Sequence, residues 1–230
     1  MSRTPSLTRR NVLVVAPHPD DEVLGCAGVI ARSIAEGQSV HVCIVTRAVD
    51  TVINIDIIER GRQEAQAVHT ELGVTSTSFL DFPAPLLDTV PQHRISDALR
   101  ALVAEQQIDT IFIPHGGDIH LDHTIVHHCA LVACRPVNDS TVRRIYAYET
   151  LSETEWAPPR GDTWFIPNVF VDISAYLDDK LRAMEGYASQ IKQAPNPRGR
   201  DGIIALARSR GYSVGCQAAE AFSLIREIQS

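Results

Sequence analysis

Short apolar runs alternate along the chain with longer segments in which apolar residues recur at helical spacing. Short β-branched runs are typical of buried strands, and apolar residues three and four apart are typical of one helix face. The runs predict strands over Val12–Ala16, Val40–Thr46, Thr77–Leu80, Asp109–Pro114, Val142–Tyr148 and Asn168–Ile173. The helical spacing predicts helices over Glu22–Gly37, Asp56–Leu72, Ile95–Gln106, Thr124–Cys134, Tyr176–Ile191 and Ile203–Arg210, while Ala221–Ile228 fits a strand or a helix. This alternation predicts an α/β fold, a Rossmann-like open, mostly parallel sheet with helices on both faces.

Composition narrows the class of protein. The 230 residues are 44% hydrophobic and 21% charged, which is typical of a soluble globular protein. No repeat or domain boundary is visible, so residues 11–230 are predicted to form a single domain behind a flexible N-terminus at residues 1–10. The net charge of -7 argues against general nucleic-acid binding, and no apolar run is long enough to span a membrane. Five scattered cysteines without a C-x-x-C pair favour buried thiols in a reducing compartment, so we predict a cytoplasmic location.

The first chemically dense stretch, residues 17–22, reads PHPDDE and joins the first predicted strand to its helix. Open α/β sheets bind ligands at such strand ends, and the glycine pattern of dinucleotide sites is missing here. His18 and Asp21 can converge on one divalent transition metal, which leaves Asp20 free to act as a base. Acids that only cap the helix and favour its dipole are the competing interpretation. A histidine between two prolines favours the metal site, because capping requires neither residue type.

A second polar stretch, residues 115–123, follows the predicted strand Asp109–Pro114. Because the carboxyl ends of parallel strands share one sheet edge, we expect His123 to reach the ion held by His18 and Asp21. Two histidines and one carboxylate with open positions are typical of catalytic zinc. His127 and His128 are interpreted as helix-surface or packing residues.

Taken together, these two stretches are similar to a known family. APHPDDE at Ala16–Glu22 and GDIHLDH at Gly117–His123 resemble the motifs of the LmbE/PIG-L family, zinc-dependent N-deacetylases of N-acetylglucosaminyl and related compounds. The resemblance extends over most of the chain, to Arg62 and Glu64 and to AEAF at Ala219–Phe222.

The resemblance implies a set of site residues. It implies one zinc ion per chain, with another divalent transition metal still open, and three ligands, His18, Asp21 and His123. It further implies that Asp20 is the general base, that His120 stabilises the oxyanion, and that the Asp122 carboxylate orients His120. Family members often assemble into trimers or hexamers, so a homo-oligomer is also open.

The substrate implied is a small N-acetylated sugar conjugate, whose N-acetyl group is hydrolysed. Arg60 and Arg62 are the predicted substrate-binding residues, although a surface salt bridge explains either equally well. Trp156 and Arg198 are further candidates for contacts with sugar hydroxyls, a phosphate or an aglycone.

Rival functions remain open at this point. A different zinc amidase, such as one for thiol conjugates, would use the same ligands, whereas a two-metal phosphoesterase would need more bridging carboxylates. A non-catalytic sugar- or nucleotide-binding module should have lost Asp20 or a metal ligand, and none is missing.

Overall fold

The computed structural model describes residues 10–49, 55–137, 140–161 and 163–229, so most of the predicted flexible N-terminus lies outside the described residues. The strands are β1 Asn11–Ala16, β2 Ser39–Ala48, β3 Ser76–Ala84, β4 Thr110–Pro114, β5 Arg144–Tyr148, β6 Val169–Asp172 and β7 Ala219–Glu227. The helices are α1 Asp21–Ala35, α2 Ile55–Leu72, α3 Gln92–Glu105, α4 Leu121–Ala133, α5 Leu177–Gly186 and α6 Arg200–Tyr212. None of the described helices is long and apolar enough to cross a membrane.

The strands form one sheet in the order β3-β2-β1-β4-β5-β7-β6. Strands β1 to β5 pair in parallel, and β7 pairs antiparallel with both β5 and β6. The predicted mostly parallel α/β sheet is therefore confirmed, and the open question about Ala221–Ile228 is resolved as strand β7. The strand order reverses between β1 and β4, so the turns after these two strands flank the crevice where open sheets bind ligands.

Alternate side chains of β1 enter two separate cores, because successive residues of a strand face opposite sides of the sheet. Val12 and Val14 join a cluster with residues of α1, α2 and α5. Leu13 and Val15 join a second cluster with residues of α3 and α4. Both faces of the sheet are thus covered by helices, as the near-continuous apolar strands predict.

Helix α1 packs closely against the side chains of Tyr148 and Ile173. A Cβ atom added to Gly25 would overlap the Tyr148 ring, and one added to Gly28 would lie 2.7 Å from a methyl group of Ile173. The Tyr148 hydroxyl in turn donates a hydrogen bond to the Val15 carbonyl in β1, at 2.9 Å. The small residues of α1 therefore fix its distance from the sheet that carries the first polar turn.

A buried ion pair also holds α1. Lys180 Nζ of α5 donates to Glu220 Oε1 of β7 and to the Leu24 carbonyl of α1, both at 2.6 Å. The Glu220 carboxylate accepts the backbone N–H groups of Gly28 at 2.9 Å and Val29 at 2.7 Å. The glutamate of the AEAF stretch thus connects β7 and α5 to the middle of α1.

Several elements begin or end away from their predicted bounds. Strands β2 and β3 continue to pair up to Ala48 and Ala84, where Pro83 is tolerated because β3 is an edge strand. Helix α4 starts at Leu121 rather than Thr124, since the His120 side chain accepts the Asp122 N–H and caps it. His123 consequently lies in the first turn of a helix.

Replacing Lys180 with methionine keeps the side-chain length but leaves the Glu220 carboxylate buried without its cation. Removing one partner of a buried ion pair typically costs about 3–5 kcal/mol, so we expect K180M to lower the free energy of unfolding by that amount in chemical denaturation. Arg182→Met is the matched control on α5, because the Arg182–Asp179 pair is more exposed. This control should change stability by less than about 0.5 kcal/mol, and equal losses in both variants would contradict the structural role of Lys180.

Candidate metal centre and active site

The turn after β1 has a fixed and strained backbone. The Pro17 carbonyl accepts both the hydroxyl of Thr46, at 2.8 Å, and its backbone N–H, at 3.1 Å. Asp20 precedes α1 with φ 99°, a left-handed conformation that costs a non-glycine residue energy. Its side chain makes no capping hydrogen bond. The competing interpretation of Asp20 as a simple helix cap therefore has no support in this geometry.

The structure brings His18, Asp21 and His123 together. Asp21 Oδ2 lies 3.3 Å from His18 Nδ1 and 3.2 Å from His123 Nε2, and one ligand atom from each of the three residues lies within 4.8 Å of the others. Asp21 Oδ1 and His123 Nε2 are buried without a hydrogen-bond partner among the described residues. Buried polar atoms are almost always satisfied, so this cluster fits a divalent cation with nitrogen and oxygen ligands.

Each of the two histidines is also held by an outer carboxylate. His123 Nδ1 donates to Asp118 Oδ2 at 2.8 Å, and Asp118 Oδ1 accepts the Thr154 hydroxyl at 2.6 Å. His18 Nε2 lies 3.1 Å from Asp122 Oδ2. Such carboxylates fix the tautomer and orientation of metal-binding histidines. Asp118 has no role predicted from the sequence, although an acid in the same turn as a candidate ligand histidine is an available signal.

The Asp122 carboxylate lies close to both His18 and His120, and one ligand atom from each of the three residues lies within 4.8 Å of the others. The resemblance implies that it orients His120, while its hydrogen-bond contacts are with His18 Nε2 and, at 3.3 Å, with the Leu87 N–H. His120 Nδ1 instead accepts the backbone N–H of Asp122, because that N–H is unpaired in the first turn of α4. Burial, together with His18 and His123, lowers the pKa of His120. A neutral His120 that accepts at Nδ1 carries its proton on Nε2.

Asp20 is enclosed by an arginine that comes from far along the chain. Arg198 Nη1 donates to Asp20 Oδ2 at 3.0 Å, while its Nε donates to the Ser152 hydroxyl at 2.6 Å. Asp20 is only 2% exposed, and burial raises its pKa to about 8 although Arg198 acts in the opposite direction. The sequence offers Arg198 only as one of several candidates for substrate contacts. Its pairing with Asp20 is visible only in the structure.

Glu22 is fully buried and holds the same turn by hydrogen bonds. Its Oε2 accepts the Asp20 N–H at 3.2 Å. Its Oε1 accepts the Tyr187 hydroxyl at 2.5 Å and lies 3.0 Å from His69 Nε2. Glu22 therefore connects the strained backbone of Asp20 to α2 and to the segment after α5.

A cavity of about 380 Å³ opens beside His18, Asp20 and His120. Arg62 lines it, together with Phe79 and Asp81 from β3. Arg60 does not line it: its exposed side chain pairs with Glu64 one helical turn away. The surface-pair interpretation therefore holds for Arg60.

Comparison with known proteins shows which family the chain belongs to. Residues 13–134 match the PIG-L family, described as GlcNAc-PI de-N-acetylase. The chain belongs to the PIG-L family. It is similar to the uncharacterized deacetylase YaiS of Escherichia coli, with 29% identity over 79% of this chain and 92% of that protein.

Two further comparisons cover most of the chain. A 1D-myo-inositol 2-acetamido-2-deoxy-alpha-D-glucopyranoside deacetylase of Mycobacteroides abscessus is 26% identical over 80% of this chain and 83% of its own. The crystal structure of the conserved protein TT1542 from Thermus thermophilus is 30% identical, with a TM-score of 0.74 over 95% of this chain and 96% of that one. The likeness thus extends beyond the matched family region to nearly the whole fold.

Tyr187→Phe tests the anchoring of Glu22 in this PIG-L family member. The variant removes one hydrogen bond to a buried carboxylate, which we expect to cost about 1.5–3 kcal/mol of unfolding free energy in urea titrations. Tyr212→Phe is the control, because Tyr212 is 68% exposed and should change stability by less than about 0.5 kcal/mol. A Tyr187→Phe protein as stable as this control would show that the contact contributes nothing.

Proposed function

We propose that this protein is a metal-dependent N-deacetylase that hydrolyses the acetamido group of an N-acetylglucosamine-like sugar conjugate. The observation that carries the proposal is a pair of buried atoms, Asp21 Oδ1 and His123 Nε2, that have no hydrogen-bond partner among the described residues. They belong to the same cluster as His18, which lines the cavity together with Asp20. Family membership supports the reaction class. The similarity to the Mycobacteroides abscessus protein, a 2-acetamido-2-deoxy glucopyranoside deacetylase, supports the sugar.

Three side chains would hold the ion, those of His18, Asp21 and His123. A bound zinc ion, or another divalent transition metal, supplies Lewis acidity and lowers the pKa of a coordinated water toward about 7. Asp118 and Asp122 would keep the two histidines in the tautomers that ligation requires.

Asp20 is proposed to accept the proton of the attacking water and then to donate it to the leaving amine. Its position supports this role, because it adjoins the ligand Asp21 and lines the cavity. Arg198, in contact with one carboxylate oxygen, would fix the orientation of the group. The Glu22 contact with the Asp20 N–H would hold the turn in the same position.

His120 is proposed to stabilise the oxyanion. Its Nδ1 is occupied by the Asp122 N–H, so its Nε2–H is the group available to donate to developing negative charge. His120 lines the cavity, and its ring centroid lies 4.6 Å from that of His18. This geometry favours donation by a neutral imidazole.

The broad test is release of acetate from a panel of N-acetylated amino sugars by the zinc-loaded protein. Release of acetate supports the proposal. Release of phosphate from esters, or amide hydrolysis confined to thiol conjugates, would instead favour one of the rival hydrolases.

Asp20→Asn separates the base from the ligands. Asparagine has nearly the size of aspartate but cannot take a proton, so we expect kcat to fall by about 10²–10⁴-fold, the usual contribution of a positioned base. Metal content, measured by elemental analysis, should stay near one ion per chain. Asp21→Asn is the comparison and should lose metal, whereas near-normal turnover by Asp20→Asn would remove the proposed base.

Asp118→Asn tests the outer carboxylate. Asp118 accepts from both His123 and Thr154, and an amide has only one acceptor oxygen for the two donors. We expect zinc affinity to fall by about 10–100-fold in chelator competition. Asp88→Asn, at an exposed position, is the control. Unchanged affinity in Asp118→Asn would show that His123 does not depend on this carboxylate.

A further inference from the structure

Three arginines line the cavity, and each of them already contacts a carboxylate. Arg47 Nη2 lies 2.6 Å from Glu59 Oε1, and Arg62 Nη1 lies 2.6 Å from Asp81 Oδ1. Arg198 contacts Asp20 and, at 3.4 Å, Glu153. No lysine or unpaired arginine therefore lines the cavity within the described ranges.

We propose that the cavity selects an uncharged, hydroxyl-rich sugar and discriminates against substrates that carry a phosphate, sulfate or carboxylate group. This inference rests on the proposed function and narrows its substrate class. An anion placed against Arg62 would also lie beside Asp81, so that attraction and repulsion largely cancel. The net charge of the whole chain, -7, gives no long-range attraction for anions either.

The pair of Arg62 and Asp81 is unfavourable for an anion but suits hydroxyl groups. A guanidinium beside a carboxylate offers N–H donors and an acceptor oxygen, and a hydroxyl group can use both. The Arg62 guanidinium carbon lies 4.0 Å from the centre of the Phe79 ring, which limits its movement. Donor and acceptor are therefore presented in a fixed relation.

The backbone of β3 explains why Asp81 is available for this contact. The register of β2 and β3 shifts between Ile44 and Thr46, whose partners are Phe79 and Phe82. Asp81 lies in this bulge with φ 56°, a left-handed conformation that is unusual for a residue other than glycine. Bulges change the direction of side chains next to binding sites, and this one places a carboxylate in the cavity wall.

Calorimetric binding of glucosamine and of glucosamine 6-phosphate to the zinc-loaded full chain, at an alkaline pH at which the amine of both sugars is uncharged, tests the inference without turnover. We expect wild type to bind glucosamine at least about 10-fold more tightly, because the phosphate meets Asp81 and gains no unpaired arginine or lysine among the described residues that line the cavity. Asp81→Asn should narrow or reverse this ratio by freeing Arg62. Asp97→Asn is the matched control: it breaks an exposed Arg100 pair outside the cavity and should leave the ratio unchanged.

Equal or tighter binding of glucosamine 6-phosphate by wild type would overturn the inference. An Asp81→Asn ratio identical to wild type, or failure of both ligands to bind, would also overturn it. The proposed function fails by a different measurement, the absence of acetate release from any N-acetylated amino sugar, so the two failures are distinguishable.

Discussion

Five carboxylates are buried in the crevice between β1 and β4, those of Asp20, Asp21, Glu22, Asp118 and Asp122. A buried charge is costly unless it is paired and hydrogen-bonded, so each carboxylate requires a partner. Asp20 has Arg198, Glu22 has Tyr187 and His69, and the other three have the histidines of the two turns. The concentration of negative charge makes the crevice attractive to a divalent cation. It also means that each carboxylate depends on the surrounding packing to hold its partner in place.

That packing explains contacts that lie far from the chemistry. Helix α1 carries Asp21 and Glu22 in its first turn, so any shift of the helix moves two of the buried acids. Gly25 and Gly28 set its distance from the sheet, and the pair of Lys180 with Glu220 holds its middle. Buried polar contacts of this kind tolerate little displacement, because an unpaired partner costs more than the contact contributes.

The two ends of the cavity use charge in different ways. Near the turns, charges are deeply buried, and Asp21 Oδ1 and His123 Nε2 have no hydrogen-bond partner in the described part of the chain. At the opposite wall, Arg62 and Asp81 are half-exposed and neutralise each other. The first arrangement suits a metal and proton transfer, and the second suits recognition of hydroxyl groups. The two proposals thus assign reaction and selectivity to separate structural elements.

Local patterns in the sequence determined the fold class and predicted the grouping of the three candidate metal ligands. Strand and helix periodicity reports which faces are buried, and parallel connectivity brings the ends of β1 and β4 to one edge, so the amino-acid sequence alone was enough to group His18, Asp21 and His123. The bounds of several elements, the status of β7 and the surface position of Arg60 were decided by pairing with neighbours, which periodicity does not report.

The distant partners of Asp20 and Glu22 were decided by the tertiary structure alone. Arg198 reaches Asp20 across 178 residues, and Tyr187 reaches Glu22 across 165. The Asp122 carboxylate contacts His18 across 104 residues. The sequence shows which residue types each turn contains. Which donor meets which acceptor depends on how distant segments pack around them, because each buried charge must be satisfied by whatever the folded chain places within hydrogen-bond distance.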